Sequence, residues 1–253
     1  MVLNLASITL AAAAGLLGGA MNALAGGGTF ATLPALIALG LPANAANATS
    51  NVSVLPGAAV SAWGFRDELE PLGGVDVRVL AGITFVGGLA GSLLLVSTPT
   101  HIFDLLIPWL LLTAGLVIAF GPRAAAWLHR IVTIGPRSLV VGQALLGVYG
   151  GYFGGGVGMM LTATYGLLAN ITPRALFAPR TLMLTVANGA AAIVFVSTGL
   201  VRWDAGVPML IGAIVGGWLG AKLGKRLSPG TVRAWTLGVT SLTTIVFFVR
   251  AYG

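Results

Sequence analysis

Residues 22–34 read NALAGGGTFATLP, and residues 150–162 read GGYFGGGVGMMLT. Each stretch sets three consecutive glycines, Gly26, Gly27 and Gly28 and then Gly154, Gly155 and Gly156, inside a long apolar run. Glycine costs a helix about 1 kcal/mol relative to alanine, and three in a row do not line one helix face. Two such interruptions, 128 residues apart, predict two helices broken at corresponding places.

The chain around them belongs in a bilayer. Of its 253 residues 57% are hydrophobic and 8% charged, and the mean hydropathy is +0.98. Soluble domains average about 25% charged residues, so the recurring apolar runs read as an all-α polytopic membrane protein with the lipid bilayer as its main partner. The 13 Lys and Arg against 6 Asp and Glu are scattered singly at the ends of apolar runs, which fits cytoplasmic loops and no nucleic-acid partner. Cysteine is absent, which excludes disulfides and thiol chemistry. The opening MVLNLASITLAAAAG has no basic leader region and reads as an uncleaved first segment.

Apolar segments fall near 5–40, 43–64, 76–96, 102–120, 138–170, 174–198, 204–222 and 232–250. Landmarks recur at nearly one offset. Asp76 answers Asp204 at 128, Gly87, Gly88 and Gly91 answer Gly216, Gly217 and Gly220 at 129, and Pro42 answers Pro173 at 131. Several matches in the same order indicate a duplication. The first repeat is read as residues 1–121, a cytoplasmic connecting loop as 122–137, and the second repeat as 138–253.

The basic residues test the orientation. With 138–170 entering and leaving on one side, Arg66, Arg78, Arg123, Arg130, Arg137, Arg174, Lys222, Lys225, Arg226 and Arg233 share a face, with only Arg202 and Arg250 opposite. If every segment crossed, the charges would divide almost evenly, so the positive-inside rule selects the hairpin. The first segment has no charges to test and its leading arm, 5–24, is long enough to cross, so only the repeat gives it the same shape. Each repeat is then a glycine-broken hairpin plus three transmembrane helices. That is an odd number of crossings, so the two repeats are inverted.

Backbone that leaves a helix at membrane depth survives only against protein or a wet cavity. Half-helices restarting near Thr29 and Val157 would aim open N–H groups and positive dipole ends at a small anionic substrate, with glycine allowing close approach. Packing alone explains Gly212, Gly216, Gly220 and Gly224, spaced by four, and glycine-rich faces of this kind are also where homo-oligomers would form. Asn44, Asn47 and Asn51 lie on one helical face beside Thr49 and Ser50; Thr181, Thr185 and Asn188 make a second stripe next to Arg180. Asn and Thr also serve as interhelical hydrogen bonds, whereas an arginine within a span is functional by default. Asp76, Asp204 and Asp104 read as helix N-caps. His101 and His129 sit at interfaces with no metal-ligand spacing, and no G-x-x-x-x-G-K-[ST], Ser–His–Asp or H-E-x-x-H pattern occurs, so neither enzymatic chemistry nor a cofactor is expected.

The paired GGG openings, AANATSNVSVLPGAAVSAWGF in the first half, and the aspartate-led GGVDVRVL and GLVRWDAG together resemble the TauE/SafE family. The resemblance covers essentially the whole chain and implies a sulfite or organosulfonate exporter of the cytoplasmic membrane. By position it carries over Gly26, Gly27, Gly28, Gly154, Gly155 and Gly156, and more weakly Thr49 and Ser50. Where the family pattern has Gly-Thr-Ser in the second half, this chain has Pro179, Arg180 and Thr181, and the added charge suits a dianion or a carboxylate-bearing sulfonate. The substrate set expected is therefore Gly26, Gly27, Gly28, Thr29, Asn47, Thr49, Ser50, Asn51, Gly154, Gly155, Gly156, Arg180 and Thr181. A passive anion channel and a non-transporting scaffold subunit are the alternatives.

Overall fold

A computed structural model describes residues 4–128, 135–168, 176–224 and 227–253. His129, Arg130, Pro173, Arg174, Lys225 and Arg226 lie outside the described residues.

The helices in chain order are α1 (Leu5–Ala25), α2 (Thr29–Ala38), α3 (Ala43–Gly64), α4 (Val77–Ser97), α5 (Thr100–Leu128), α6 (Pro136–Tyr152), α7 (Val157–Leu168), α8 (Phe177–Ser197), α9 (Trp203–Gly224) and α10 (Pro229–Tyr252). Both broken segments appear where the glycines predict them, between α1 and α2 and between α6 and α7. Among the described residues six helices are long and apolar enough to cross a membrane: α1, α4, α5 over Thr100–Gly121, α8, α9 and α10. α3 matches them in length, but its buried face carries Asn47, Thr49, Ser50, Asn51 and Ser53.

Caps follow local chemistry. Asn4 and Ser228 accept from Ser7 N and Thr231 N at 2.8 and 3.1 Å, and Asp76 Oδ1 accepts from Arg78 N at 2.7 Å, capping α4 as read from sequence. Asp204 is not the cap of α9. It is the second residue of that helix, with Oδ2 3.4 Å from Arg202 Nη2. Asp104 lies in the second turn of α5, 3.7 Å from Arg250. Asp104 has that arginine as its partner, whereas Asp204 has Arg202 and also accepts from Ala205 N at 3.1 Å through Oδ1.

α5 runs seven residues beyond Gly121, through a proline. Pro122 has no N–H for Ile118 O. Arg233 on α10 fills that place: Nε donates to Ile118 O at 3.1 Å and Nη2 to Ala119 O at 2.7 Å. α5 thus continues through the first seven residues of the 122–137 stretch.

Lipid supplies no hydrophobic drive between helices, so close backbone packing at small residues does the work. A Cβ on Gly212, Gly216 or Gly220 of α9 would collide with the backbone of Ala12, Leu16 or Ala20 of α1, and one on Gly15 or Gly19 would collide with Met209 or Ala213. The numbers rise together, so α1 and α9 run in the same direction. α4 and α6 are likewise parallel: Gly147 closes on Thr84, Gly151 on Gly88, and Gly91 on Val148 and Tyr152.

Other contacts fix the remaining directions. Thr49 Oγ1 accepts from Arg202 N, Ser53 Oγ donates to Gly206 O, and Gly57 faces Ala213 O, so α3 is parallel to α9 and hence to α1. The chain therefore turns back through α2 between two parallel helices. Thr84 reaches Met183 and Gly88 reaches Ala187 and Ala190, so α8 is parallel to α4 and hence to α6, with α7 as the returning piece. The corresponding helices α5 and α10 oppose each other, with Arg233 at Ile118 and Tyr252 OH donating to Leu105 O.

Candidate anion-facing site

The two breaks meet in the protein interior. A Cβ on Gly26 would stand 2.5 Å from Gly158 Cα, and one on Gly158 would stand 2.6 Å from Gly26 Cα, so main chain lies on main chain. Gly26 ends α1 in the left-handed region (φ 74°), its N–H donating to Asn22 O at 2.8 Å. Gly154 and Gly156 hold the second break with φ of 75° and 76°. These are conformations in which glycine avoids the Cβ penalty of other residues.

α2 and α7 restart here. Gly28 precedes α2 without any side-chain cap, and the glycine carbonyls tighten its first turn: Phe30 N donates to Gly27 O at 3.2 Å, and Ala31 N and Thr32 N donate to Gly28 O at 3.1 and 3.2 Å. Gly156 O accepts from Met159 N and Met160 N, both at 3.0 Å, as α7 begins. Thr29 is buried at the first position of α2. Two aromatic rings absent from the sequence expectation stand between the breaks. Phe30 lies over Gly156, whose Cβ would be 2.8 Å from Phe30 Cζ, and Phe153 backs Gly155. Both rings are fully buried. Gly27 also faces the Phe30 ring, at 3.0 Å, with Thr236 of α10 beyond it. Gly28 instead presses on Gly18 O at 2.6 Å. The middle glycine of each triplet thus meets a side chain, whereas Gly26 and Gly28 meet backbone.

The polar residues of α3 divide by role. Thr49 holds the start of α9 through Arg202 N at 2.9 Å. Ser50 pairs with Thr32 of α2, whose hydroxyl also reaches Gly28 O at 3.1 Å, so this pair fixes the returning arm. Asn47 Nδ2 donates to Tyr152 O at 3.1 Å and Asn51 Nδ2 to Asn188 Oδ1 at 3.2 Å. Gly154 lies beside that second pair. Asn188 belongs to the site, and its stripe with Thr181 and Thr185 was the sequence signal for it.

Arg180 and Thr181 lie apart from the breaks. They precede Asn188 by eight and seven residues on α8, so about 12 Å along the axis separates Arg180 from it. Arg180 is 6% exposed. Its guanidinium carbon sits 4.2 Å from the Phe177 ring centroid, Nε has no hydrogen-bond partner, and no carboxylate pairs with it among the described residues. Thr181 donates to Phe177 O at 2.9 Å and lines a cleft between α1, α3, α8 and α9 with Asn22, Ser61 and Gly217. The structure therefore places the expected residues at two levels: the glycine breaks with Asn47 and Asn51 in the centre, and Arg180 and Thr181 towards the start of α8.

Comparison with known proteins places the chain in a family. Residues 11–247 match the family described as sulfite exporter TauE/SafE. A "Probable membrane transporter protein" of Haemophilus influenzae is 30% identical over 213 residues, covering 80% of this chain and 79% of that protein. YfcA of Escherichia coli K12, also named a membrane transporter, is 29% identical over 84% of this chain and 77% of its own length. A third, ORF9 of a Sinorhizobium species, is 26% identical over 84% and 80%.

Proposed function

Because the chain belongs to the sulfite exporter TauE/SafE family, we propose that this membrane transporter exports a small sulfur-containing oxyanion, sulfite or an organosulfonate, across the cytoplasmic membrane. The observation that carries the reading is the contact between Gly26 and Gly158. It brings two interrupted helices together, so that the starts of α2 and α7 lie beside one another as paired positive dipole ends.

The helix directions support a pair of inverted repeats, each a hairpin (α1–α2 or α6–α7) and three crossings. α3 and α8 occupy corresponding places and run oppositely, as Asn51 with Asn188 and the cleft shared by Ser61 and Thr181 require. Arg180, buried without a carboxylate, is the anion's first contact on the side where α8 begins. Phe30 and Phe153 close the centre, and a substrate moving inward would have to displace them.

The experiment is counterflow in proteoliposomes with labelled sulfite, challenged by sulfate, thiosulfate, sulfoacetate and taurine. Saturable exchange, accelerated by sulfite or a sulfonate on the far side, is the expected result. Flux that never saturates and shows no exchange acceleration would favour a channel, and absence of any oxyanion flux would end the proposal.

A further inference from the structure

Two unpaired acceptor atoms lie on α3 where it packs against the end of α6. Asn47 spends its Nδ2 on Tyr152 O, and Asn51 spends its Nδ2 on Asn188 Oδ1. What each has left is an oxygen, and Asn47 Oδ1 and Asn51 Oδ1 are both buried without a hydrogen-bond partner. The residues are 1% and 3% exposed. They stand one turn apart on α3, where side chains at i and i+4 have Cβ atoms about 5–6 Å apart.

Opposite them is the last turn of α6, whose carbonyls carry the negative end of its dipole. A Cβ on Gly154 would meet Asn51 Nδ2 at 3.2 Å and Gly150 O at 3.4 Å, and the positive φ of 75° turns the chain away. The surroundings are rich in acceptors and poor in donors, the reverse of the starts of α2 and α7. An oxyanion would be repelled here. A divalent cation is disfavoured, since no group of three or more His, Cys, Asp or Glu occurs among the described residues. Neutral amide and main-chain oxygens beside a half-helix C-terminus are instead ligands for a small monovalent cation.

We propose that Asn47 Oδ1, Asn51 Oδ1 and the terminal carbonyls of α6 form a sodium-binding site. Sodium there would bring Asn47, Asn51 and the second break together and so set the geometry of the neighbouring α7 start, coupling cation occupancy to the anion face. The coupling rests on the proposed anion function. The cation site does not, and it is read with no sulfur anion present.

The test uses the full chain in lipid nanodiscs, with sodium gluconate replacing choline gluconate at constant ionic strength and thermal unfolding as the readout. Wild type is expected to show a saturable rise in Tm with sodium and a smaller one with potassium. Asn47→Asp and Asn51→Asp place a carboxylate where the amide oxygen stood. Each should tighten the apparent sodium Kd by about tenfold or more, because a full charge acts strongly at short range in a buried site. Asn47→Leu should abolish the response; should that variant fail to fold, the aspartate variants decide. No sodium-selective shift in a cooperatively melting wild type, or aspartate variants that bind sodium no tighter, would overturn the site and leave water as the partner of both oxygens.

Discussion

Thr243 Oγ1 on α10 donates to the main-chain oxygen of Phe30 at 3.3 Å, and that oxygen is the one Pro34 leaves without a helical N–H four residues on. The bond ties the returning arm α2 to the last helix, one residue after the glycine break has restarted the helix. An unsatisfied buried carbonyl costs about 1–3 kcal/mol. Thr243→Val should lower stability by about that amount. In a Pro34→Ala background, where residue 34 again supplies an N–H, the same change should cost under about 0.5 kcal/mol. Unfolding of the four members of the cycle in one detergent measures the coupling, and equal costs in both backgrounds would deny the pairing.

The glycines of the first break should not be equivalent. A Cβ on Gly26 meets Gly158 main chain at 2.5 Å from a φ of 74°, whereas one on Gly27 meets the edge of the Phe30 ring at 3.0 Å. A ring can shift, but two packed backbones cannot separate without moving their helices. Gly26→Ala should therefore abolish transport and lower Tm, with the left-handed conformation alone costing about 1–2 kcal/mol. Gly27→Ala should keep measurable flux. Similar flux and Tm in the two variants would show that the close approach of the breaks is unimportant.

For Arg180 the expected signature lies in substrate affinity. Arg180→Gln should raise KM about ten- to a hundredfold, the equivalent of roughly 1.5–3 kcal/mol for a hydrogen bond to a charged group. Lysine should restore it only in part, lacking the planar fork. Arg180 also stacks on Phe177, and a residue held only for that contact behaves differently. Phe177→Leu and Arg180→Gln would then both lower Tm and leave KM within about twofold.

Topology is open to a direct check because the chain has no native cysteine. Arg78 and Arg137, exposed at the starts of the parallel helices α4 and α6, should label from the cytoplasmic side when replaced by Cys. A cysteine at Trp203, exposed at the start of α9, should label only from the opposite side. Labelling of positions 78 and 137 from different faces would contradict the parallel packing.

Much of the architecture is legible in the sequence because it depends on glycine, and glycine is conspicuous in an apolar run. The breaks at Gly26–Gly28 and Gly154–Gly156 and the α9 stripe appear where spacing puts them. What escaped depended on partners distant in the chain. The reading of a loop from residue 122 misses the extension of α5 because nothing nearby announces that Arg233, 111 residues after Pro122, takes Ile118 O. Asp104 looked like a cap for the same reason, its arginine partner being Arg250 near the other end of the chain. Within the candidate site, Thr49 and Ser50 are polar residues of the expected type, but their hydroxyls brace α9 and α2. The leftover oxygens of Asn47 and Asn51 become visible only once both amide nitrogens have been assigned their acceptors.

The parallel seams of α1 on α9 and of α4 on α6 bear on ancestry and on autonomy. Each half lends its leading helix to the other, so a fragment ending in the connection after α5 would expose the seam residues Ala12, Leu16 and Ala20 without the glycines that receive them. Neither fragment is expected to fold on its own, and co-expression of both should be needed to recover either. If the halves descend from one duplicated segment, the single-copy progenitor would have been a two-chain assembly exchanging its first helices, and fusion into one gene kept an intersubunit interface as an internal one.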